Sequence, residues 1–588
     1  QAAKFITAAK LVDVIPSKVT RIRHAKDFYS ANQMDNYYRD NDNDDDELAR
    51  VLKLSQTSYL FEDLSHLTYK QAMKRSDAAK WTAATQKELD SLTEQKVGTE
   101  VSLSSLPSGI KPLTCRLLFK IKYDDKNEPI QWKTRLVVQG FKQTYGLNYT
   151  ETFAPTAKSK SIKLILSDAA INNKELKQFD VEVAFLNAKL SDNVYIILPD
   201  GCDDLSGKIW KLNKALYGLK QSPHEWNTEM NKTLISLSYI PTKADPCIYV
   251  KSITNSVEYI TIYLYVDDTI ISYAKVIESQ WISDFAVIKS KYKLKDLGDC
   301  VWILNMKVIR DRTKGTIILS QEAYIRQALI DRHIDINTIK TRDNPCDYSL
   351  SHHSTITTKM ELLNPTEHQQ FQSDIGTLNY AALMTRFDIT YAVIVLSRKL
   401  AAPTKDDATA VTRIFRYLAG TAHYALVFKT PTKLTGIVAY SDASYANDTS
   451  TYKGTTGTMI TVDGNVICVQ SKRQKCVALS STEAEYYAMG STVCEALWIQ
   501  LWRKEVSGIN QVITVLCDNQ SAMKLASHDT IHQRSKHINI RYHFIRDHIA
   551  QGSVQIEWIS TTHMLADILT KAMVTTQFTN LVNKILLC

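Results

Sequence analysis

Two strongly apolar runs flank one pair of adjacent carboxylates, Asp267 and Asp268, within residues 259–273. The runs are rich in Ile, Tyr, Val and Thr, a composition typical of β-strands. Two such runs around a short polar pair predict a hairpin with both acids at its tip. Both faces of the strands are apolar, so both strands are expected to be buried. Ionised carboxylates beside buried strands need compensation, which a divalent cation bound to their oxygens would supply.

The Asp-Asp pair alone has a second explanation. Asp is a common turn residue, so the pair could be an ordinary polar turn, and taken by itself it fits both explanations about equally well. The rest of the chain therefore has to decide whether further acids and phosphate-binding residues accompany the pair.

Length and composition narrow the class of protein. A chain of 588 residues is too long for one core and predicts about two to four domains. The net charge of +9 is compatible with a polyanionic partner. The ten cysteines include no Cys-x-x-Cys pair, which argues against a zinc site or a disulfide framework and fits a reducing compartment. No apolar run is long enough to span a bilayer, so no membrane partner is expected.

The N-terminal segment has a different composition. Residues 39–47 form an acidic run that repels itself, and residues 1–70 are predicted to be a disordered acidic linker or tail. Because the chain begins at Gln1 rather than Met, we expect it to be a fragment or a processed piece of a longer polyprotein.

Basic residues precede the apolar hairpin. Two strand-like runs, residues 117–123 and 132–138, predict a hairpin on which Lys133 and Arg135 share one face. Such a face suits phosphate, although a solvated hairpin surface is the alternative. A helix is predicted over residues 161–171, and a strand over residues 176–181 that carries Asp180 near its end.

A second set of acids follows residue 430. A strand over residues 435–440 leads to Asp442, and a helix from residue 480 to about 501 carries Glu483 and Glu485. A strand over residues 512–517 leads to Asp518, and Asp567 is expected on a final helix. Each acid alone would be a surface carboxylate, but the four in this order resemble the acids of a ribonuclease H.

Between residues 132 and 268, the sequence contains four motifs in the order seen in reverse transcriptases. The sequence resembles most closely the copia-type long-terminal-repeat retrotransposon Pol polyprotein. The motifs are Trp132–Phe141, Phe179–Asn187, Leu216–Pro223 and the Tyr-Val-Asp-Asp of residues 265–268.

The resemblance implies an α+β right-hand polymerase with fingers, palm and thumb, followed by an α/β ribonuclease H-like domain. The implied domains are a reverse transcriptase over residues 71–345, a connection over 346–430 and the ribonuclease H-like domain over 431–588. The implied function is RNA-directed DNA polymerisation with ribonuclease H activity; the alternative is a catalytically inactive nucleic-acid-binding remnant. The implied partners are an RNA template, a DNA primer, an RNA/DNA hybrid, dNTPs and other polyprotein products such as capsid and integrase. Cytoplasmic virus-like particles are the expected location, with the nucleus as an alternative.

The resemblance also assigns roles to residues. Asp180, Asp267 and Asp268 would hold two Mg²⁺ ions, which Mn²⁺ could replace, with the Val181 carbonyl as a candidate extra ligand. Lys133 or Arg135 would neutralise phosphate charge, and Phe185 would pack under the sugar and exclude a 2′-hydroxyl. The nucleotide and template side would be lined by Tyr217, Gly218 and Lys220.

In the second site, two Mg²⁺ ions would be held by Asp442, Glu485, Asp518 and Asp567. Glu485 is preferred over Glu483 because, like the family's catalytic Glu, it precedes an apolar pair and Ala488. His563 does not fit the register of a catalytic histidine and is interpreted as a loop residue.

The sequence departs from the family at packing and turn positions. Glu100, Leu117 and Val469 replace tryptophans, and Phe387 replaces a proline. Asn305 stands where the family has glycine, which argues against a tight backbone approach there. None of these changes affects a proposed metal ligand.

Overall fold

The computed structural model describes residues 61–64, 67–123, 129–202, 205–347, 361–527 and 539–586. Most of the predicted acidic linker, including residues 39–47, lies outside the described residues. The first described elements begin before the predicted boundary at residue 70. They are strand β1 (Phe61–Asp63), which pairs with a later strand, and helix α1 (Tyr69–Ala72), which begins with a capping box at Thr68.

The N-terminal sheet contains the predicted basic hairpin. Its strand order is β1-β3-β6-β7-β2, with β4 paired to β3. In the hairpin the register places Lys120 opposite Lys133, which confirms the two predicted strands. The buried face of helix α2 (Ala78–Glu94) packs on β4. The other strands are β2 (Gly98–Val101), β3 (Leu113–Tyr123), β4 (Pro129–Val138), β6 (Tyr195–Ile197) and β7 (Ile209–Leu212).

The central sheet contains the Asp-Asp hairpin. Its order is β12-β5-β11-β10-β9-β8, so the hairpin strands are interior strands. Tyr259 to Leu264 and Thr269 to Tyr273 are all buried, which confirms the expected burial of both faces. The strands are β5 (Glu175–Val181), β8 (Ile240–Pro241), β9 (Ile248–Ser252), β10 (Tyr259–Tyr265), β11 (Asp268–Tyr273) and β12 (Leu294–Asp299). The helices of this region are α3 (Ser159–Ile171), α4 (Ser222–Ser236) and α5 (Glu278–Lys291).

A four-stranded sheet of order β13-β14-β15-β16 and four helices follow. Leu304 and Asn305 form the β13–β14 turn with φ of 45° and 60°. Asn tolerates this left-handed conformation, so a tight turn forms without the family's glycine. The elements are β13 (Trp302–Ile303), β14 (Met306–Asp311), β15 (Thr316–Ser320), β16 (Leu426–Lys429), α6 (Glu322–Asp331), α7 (Pro365–Met384), α8 (Thr390–Ser397) and α9 (Lys405–Gly420).

The C-terminal sheet has the order β19-β18-β17-β20-β21, in which β20 and β21 run parallel to β17 and the other pairs are antiparallel. This mixed sheet with long helix α10 packed against it agrees with the expected α/β ribonuclease H-like domain. The elements are β17 (Ile437–Asp448), β18 (Lys453–Val462), β19 (Asn465–Arg473), β20 (Ile513–Cys517), β21 (Val554–Trp558), α10 (Ser481–Ser507), α11 (Gln520–Ser527), α12 (Asn539–Ala550) and α13 (Thr575–Ile585).

Two predicted positions in this domain are wrong. Asp442 lies inside β17 rather than after its end, because Ser441 to Ser444 stay in register with β18, where Asp442 pairs with Gly457. Asp567 lies on a 3₁₀ turn, Leu565–Leu569, and not on the final helix, which begins at Thr575. Tight packing of this turn on β18, where a Cβ at Gly457 would lie 2.9 Å from the Ala566 carbonyl oxygen, opposes a longer helix.

The C-terminal domain packs directly on the central sheet's supporting elements. Lys160, in the first turn of α3, forms a buried ion pair of 2.5 Å with Glu495 of α10. The indole of Trp498 donates to the Ala244 carbonyl at 2.8 Å, and Glu505 accepts from the Ala244 amide at 3.0 Å. Separately, none of the helices in the described ranges is long and apolar enough to cross a membrane.

Candidate active sites

The turn of the Asp-Asp hairpin holds the first site. Asp268 begins β11 and is the direct register partner of Asp180 on β5. The Asp267 carbonyl accepts a hydrogen bond from the Val181 amide at 3.4 Å. The structure therefore brings together the three acids that the sequence assigns to one site, although they are distant in sequence.

Two β-branched residues in this site have a left-handed backbone. Val266 has φ of 57° at the hairpin tip, and Val183 has φ of 51° just after β5. Such conformations are strained for valine. The Trp226 indole holds the turn at Val266 by donating to the Val266 carbonyl at 2.6 Å. The side-chain amide of Asn187 holds the turn at Val183 by donating to the Glu182 and Val183 carbonyls. Strain of this kind concentrates at functional sites.

The three acids carry more negative charge than nearby cations offset. Burial, followed by the charges of Asp267 and Asp180, raises the pKa of Asp268 to about 7. Burial and then the Asp267 charge raise the pKa of Asp180, while Lys133 and Lys295 act in the opposite direction. Three neighbouring carboxylates whose charges act on one another suit a hard divalent cation, so the residue types present fit the expected Mg²⁺.

Four predicted nucleotide-binding residues lie beside the acids. The Arg135 guanidinium stacks on the Tyr217 ring at 4.1 Å, and the Phe185 ring meets the Tyr217 ring edge to face at 5.1 Å. The Lys133 charge acts on both Asp180 and Asp267. These contacts form a continuous aromatic and basic wall next to the carboxylates.

Gly218 has a backbone reason to be glycine. Its φ is 91°, and a Cβ there would lie 2.1 Å from the Val138 carbonyl oxygen. The Tyr217 carbonyl accepts from the Val138 amide at 2.8 Å, which ties the segment to the basic hairpin. Lys220 instead points to another loop, where its ammonium group lies 3.3 Å from the Gln143 carbonyl oxygen and 3.4 Å from the Tyr149 hydroxyl.

Sequence reasoning missed Glu88 of helix α2. Its carboxylate accepts from the Leu136 amide at 3.1 Å, and burial raises its pKa while the charges of Arg135 and Lys133 lower it. Glu88 therefore supports the strand that presents both basic residues. Only the three-dimensional pairing of α2 with β4 reveals this role.

The second site collects the acids of the C-terminal domain. The ligand atoms of Glu485, Cys517 and Asp518 lie within 4.8 Å of one another, the one such group of His, Cys, Asp or Glu in the described part of the chain. Burial, then the charges of Asp442 and Asp518, raises the pKa of Glu485 to about 9. Burial and the Asp442 charge raise the pKa of Asp567 to about 7.

One lysine partly balances these acids. Lys571 pairs with Asp567 at 2.9 Å, and Thr570 donates its hydroxyl to Asp442. Four carboxylates around one ammonium group leave an excess of negative charge. This donor set also fits divalent cations, and oxygen ligands of this kind favour Mg²⁺ or Mn²⁺.

The helix start distinguishes the two candidate glutamates. The Glu483 carboxylate accepts from the Leu479 amide at 2.7 Å, while its own amide donates to the Ser480 hydroxyl at 3.1 Å. Glu483 thus caps α10, whereas Glu485 lies with Cys517 and Asp518, and its catalytic role stays a prediction.

The loop after β21 borders the same acids. The Thr561 hydroxyl donates to Asp518 at 2.8 Å, and His563 in the same 3₁₀ turn contacts the hydroxyls of Ser560 and Thr562. His563 is the last residue of this 3₁₀ turn, between β21 and the turn that carries Asp567.

Comparisons with known proteins identify the family. Residues 99–345 match the family described as reverse transcriptase (RNA-dependent DNA polymerase). The chain is 38% identical over 531 residues to the retrovirus-related Pol polyprotein from transposon TNT 1-94 of Nicotiana tabacum, covering 88% of this chain and 38% of that protein. The chain belongs to the copia-type retrotransposon Pol polyproteins.

Other relatives of this copia-type chain agree. The Pol polyprotein from transposon RE1 of Arabidopsis thaliana is 34% identical over 482 residues, covering 82% of this chain and 32% of that protein. The chain thus spans about a third of the length of these curated relatives. Among solved structures, a foamy viral protease-reverse transcriptase in complex with double-stranded DNA is similar with a TM-score of 0.47 and 15% identity, covering 82% of this chain and 69% of that chain.

Proposed function

We propose that this chain is an RNA-directed DNA polymerase that also cleaves the RNA strand of an RNA/DNA hybrid. Membership in the reverse transcriptase family supports the polymerase. The observation that carries the proposal is the register of Asp268 with Asp180, which places two carboxylates side by side at a strained turn next to Asp267. In this proposal the N-terminal sheet is the fingers, the central sheet is the palm, and β13–β15 with α6 form the thumb.

Each residue of the polymerase site then has a task. Asp180, Asp267 and Asp268 would hold two Mg²⁺ ions, which, when bound, would supply Lewis acidity for transfer of the nucleotide to the primer 3′-hydroxyl with release of pyrophosphate. Arg135, held by Tyr217, and Lys133 bind the triphosphate of the incoming dNTP. The Phe185 ring lies under the sugar and leaves no room for a 2′-hydroxyl.

The ribonuclease proposal rests on the second acid cluster. The charges of Asp442, Glu485, Asp518 and Asp567, which come from a strand, a helix, a strand end and a 3₁₀ turn, act on one another and on Lys571. These residues would hold two Mg²⁺ ions, which, when bound, would activate a water molecule for attack on the RNA phosphodiester. Such a site would recognise backbone shape and the 2′-hydroxyl of the hybrid. Proposed partners outside the chain are the RNA template, the DNA primer, capsid and integrase, within cytoplasmic virus-like particles or the nucleus.

The alternative of an inactive remnant receives no support from the altered tryptophan positions. Glu100 is an exposed residue of β2 that pairs with Lys208 at 3.0 Å. Leu117 is buried in the N-terminal core, and Val469 of β19 is the register partner of Met459. Glu100 is therefore paired, Leu117 is packed in a core, and Val469 lies in a regular strand pair.

Metal removal tests both activities. On a primed RNA template with dNTPs, we expect extension with Mg²⁺ or Mn²⁺ and none with EDTA, because the carboxylates alone repel the phosphates. The same sample should cleave labelled RNA in a DNA hybrid but leave the same RNA intact when single-stranded. Absence of extension in both metals would refute the polymerase assignment, and absence of hybrid cleavage would refute the ribonuclease assignment.

Phe185→Val tests the sugar contact. Removing the ring opens space beside Tyr217, so we expect the ratio of kcat/KM for rNTP to that for dNTP to rise at least about tenfold, or about 1.4 kcal/mol. Single-nucleotide extension kinetics measure this ratio, and the dNTP value of the same variant serves as the internal control. A fall in both values at a constant ratio would contradict the assignment.

A further inference from the structure

A thiol lies among the carboxylates of the second site. Cys517 is the last residue of β20 and directly precedes Asp518. Its sulfur atom, a carboxylate oxygen of Asp518 and a carboxylate oxygen of Glu485 all lie within 4.8 Å of one another. The proposed Mg²⁺ ions would use the two acids but not the thiol, because magnesium takes oxygen ligands. The cluster therefore contains a sulfur donor to which the proposed ribonuclease function gives no task.

One carboxylate oxygen of this cluster lacks a compensating donor. Glu485 is only 7% exposed, and within the described residues no group donates a hydrogen bond to its Oε2. A buried, unpaired carboxylate oxygen is costly, and a bound cation would compensate it. The burial of Glu485 is thus a second observation, independent of the thiol, that points to a cation at this position.

The three donors are held by ordered elements and reach solvent on one side. Glu485 lies in the second turn of α10, and Cys517 ends an interior strand of the C-terminal sheet. The Thr561 hydroxyl donates to Asp518 at 2.8 Å and so orients its carboxylate. Cys517 is fully buried, whereas Asp518 is partly exposed, so an ion would enter from the Asp518 side.

Sulfur favours a different class of metal from oxygen alone. Thiolate ligands select soft or borderline cations such as Zn²⁺ and Cd²⁺, whereas carboxylates alone suit Mg²⁺ and Mn²⁺. One thiolate and two carboxylates supply three of the four tetrahedral ligands of Zn²⁺ and leave the fourth position to water. Because Zn–S and Zn–O bonds are about 2.0–2.3 Å long, the three atoms would draw closer together around the ion. Cys-x-x-Cys spacing does not signal such a site, because only one of its ligands is a cysteine.

Binding requires the thiol to lose its proton. Burial, followed by the Glu485 charge, raises the pKa of Cys517 to about 12, so the free thiol is neutral. As the metal–sulfur bond forms, the S–H bond breaks and the proton passes to solvent. Only a cation with high affinity for sulfur offsets this cost, so the thiol distinguishes such a cation from Mg²⁺.

We propose that Cys517, Glu485 and Asp518 form a binding site for a thiophilic divalent cation of the Zn²⁺ class, and that its occupation inhibits the ribonuclease. The ion would take carboxylate oxygens that the proposed Mg²⁺ ions need, so the two kinds of metal exclude each other. The inhibition rests on the proposed ribonuclease function, whereas the binding rests on the cluster alone. In the described part of the chain no cysteine joins the three polymerase acids in such a group, so primer extension should be spared.

Titration of the metal-free full chain with Cd²⁺ tests the binding, because a Cd²⁺–thiolate bond absorbs in the ultraviolet. We expect the tightest absorbance step of the wild type to disappear in both Cys517→Ala and Cys517→Ser. Cys468→Ala, which removes another buried strand cysteine of the same sheet, should keep this step. Glu485→Gln retains the thiol but removes a charged ligand, so it should weaken the step at least about tenfold. Melting temperatures show which variants are folded.

Inhibition of hybrid cleavage by Zn²⁺ in excess Mg²⁺ tests the consequence. Each variant is compared with its own rate without Zn²⁺, and the inhibitory Zn²⁺ concentration should rise at least about tenfold in Cys517→Ser but not in Cys468→Ala. The sensitivity of primer extension to Zn²⁺ should be the same in all three proteins.

Three results would overturn the site. They are an absorbance step that persists in both Cys517 variants, a step that Glu485→Gln leaves unchanged, and a Zn²⁺ sensitivity of cleavage in Cys517→Ser within about twofold of wild type. A Cys517-dependent absorbance step without any hybrid cleavage would refute the ribonuclease function and leave the metal site standing.

Discussion

Replacing Asp268 with Asn is expected to reduce primer extension at least about a thousandfold, or about 4 kcal/mol in activation free energy. Asn keeps the shape of the side chain but removes a charged oxygen from the proposed metal-binding acids, in which Asp268 lies beside Asp180. Cleavage of the RNA/DNA hybrid should stay within about twofold of wild type, because the acids proposed for it belong to the separate cluster of the C-terminal domain. Single-turnover extension on an RNA template measures the loss.

Stability supplies a control for the Asp268→Asn variant. The folded-state pKa of Asp268 is raised to about 7, so its ionised form costs folding free energy as pH rises from about 4 to 7. In EDTA above pH 7, the Asn variant should therefore melt at the same or a higher temperature, and this difference should vanish below about pH 4. Asp296→Asn, which changes an exposed acid on β12, should leave extension intact. Equal extension by wild type and Asp268→Asn would refute the assignment.

The hairpin itself could be predicted from the sequence because its information is local. An apolar run that contains Ile260, Ile262 and Leu264, a polar pair and a second run specify two paired strands. The position of the partner acid, Asp180, could not be predicted in this way. Asp180 could be named from its motif, but its register with Asp268 depends on the antiparallel pairing of β5 and β11 across nearly ninety residues of chain.

Backbone strain at the site could not be predicted from the sequence. Val183 and Val266 adopt left-handed conformations that valine avoids, each at a cost of about 1–3 kcal/mol. The hydrogen bonds that hold them come from Trp226 and Asn187. No local pattern signals such a conformation at a β-branched residue, because tertiary contacts impose it.

Contacts between the two parts of the chain were also beyond sequence reasoning. Glu495 lies 335 residues from its partner Lys160, and the Gln470 side chain also donates to it at 2.8 Å. These interactions, led by the charges of Lys160 and Lys472, outweigh burial and lower the pKa of Glu495 to about 2. Helix periodicity places Glu495 on a buried face but does not predict which residues contact it there. Because α3 leads directly into β5, this pair joins the C-terminal domain to the strand that carries Asp180.

The sequence also could not determine which of Glu483 and Glu485 joins the acid cluster. Their spacing of two residues predicts only that they face different sides of the helix. The helix cap decides between them, because Glu483 accepts the Leu479 amide while Glu485 lies with Cys517 and Asp518. One glutamate serves the start of the helix and the other serves the acid cluster.

Exchanging each glutamate for Gln turns this distinction into a measurement. Glu485→Gln is expected to reduce hybrid cleavage at least about a thousandfold, because it removes a charge from the metal-binding group. Glu483→Gln should stay within about threefold of wild type, since the amide oxygen of Gln can still accept the Leu479 N–H. Rates of cleavage of an RNA/DNA hybrid with Mg²⁺ measure both effects, and primer extension by each variant should match the wild type. A folded Glu483→Gln variant as inactive as Glu485→Gln would show that the cap residue, and not its neighbour, belongs to the catalytic group.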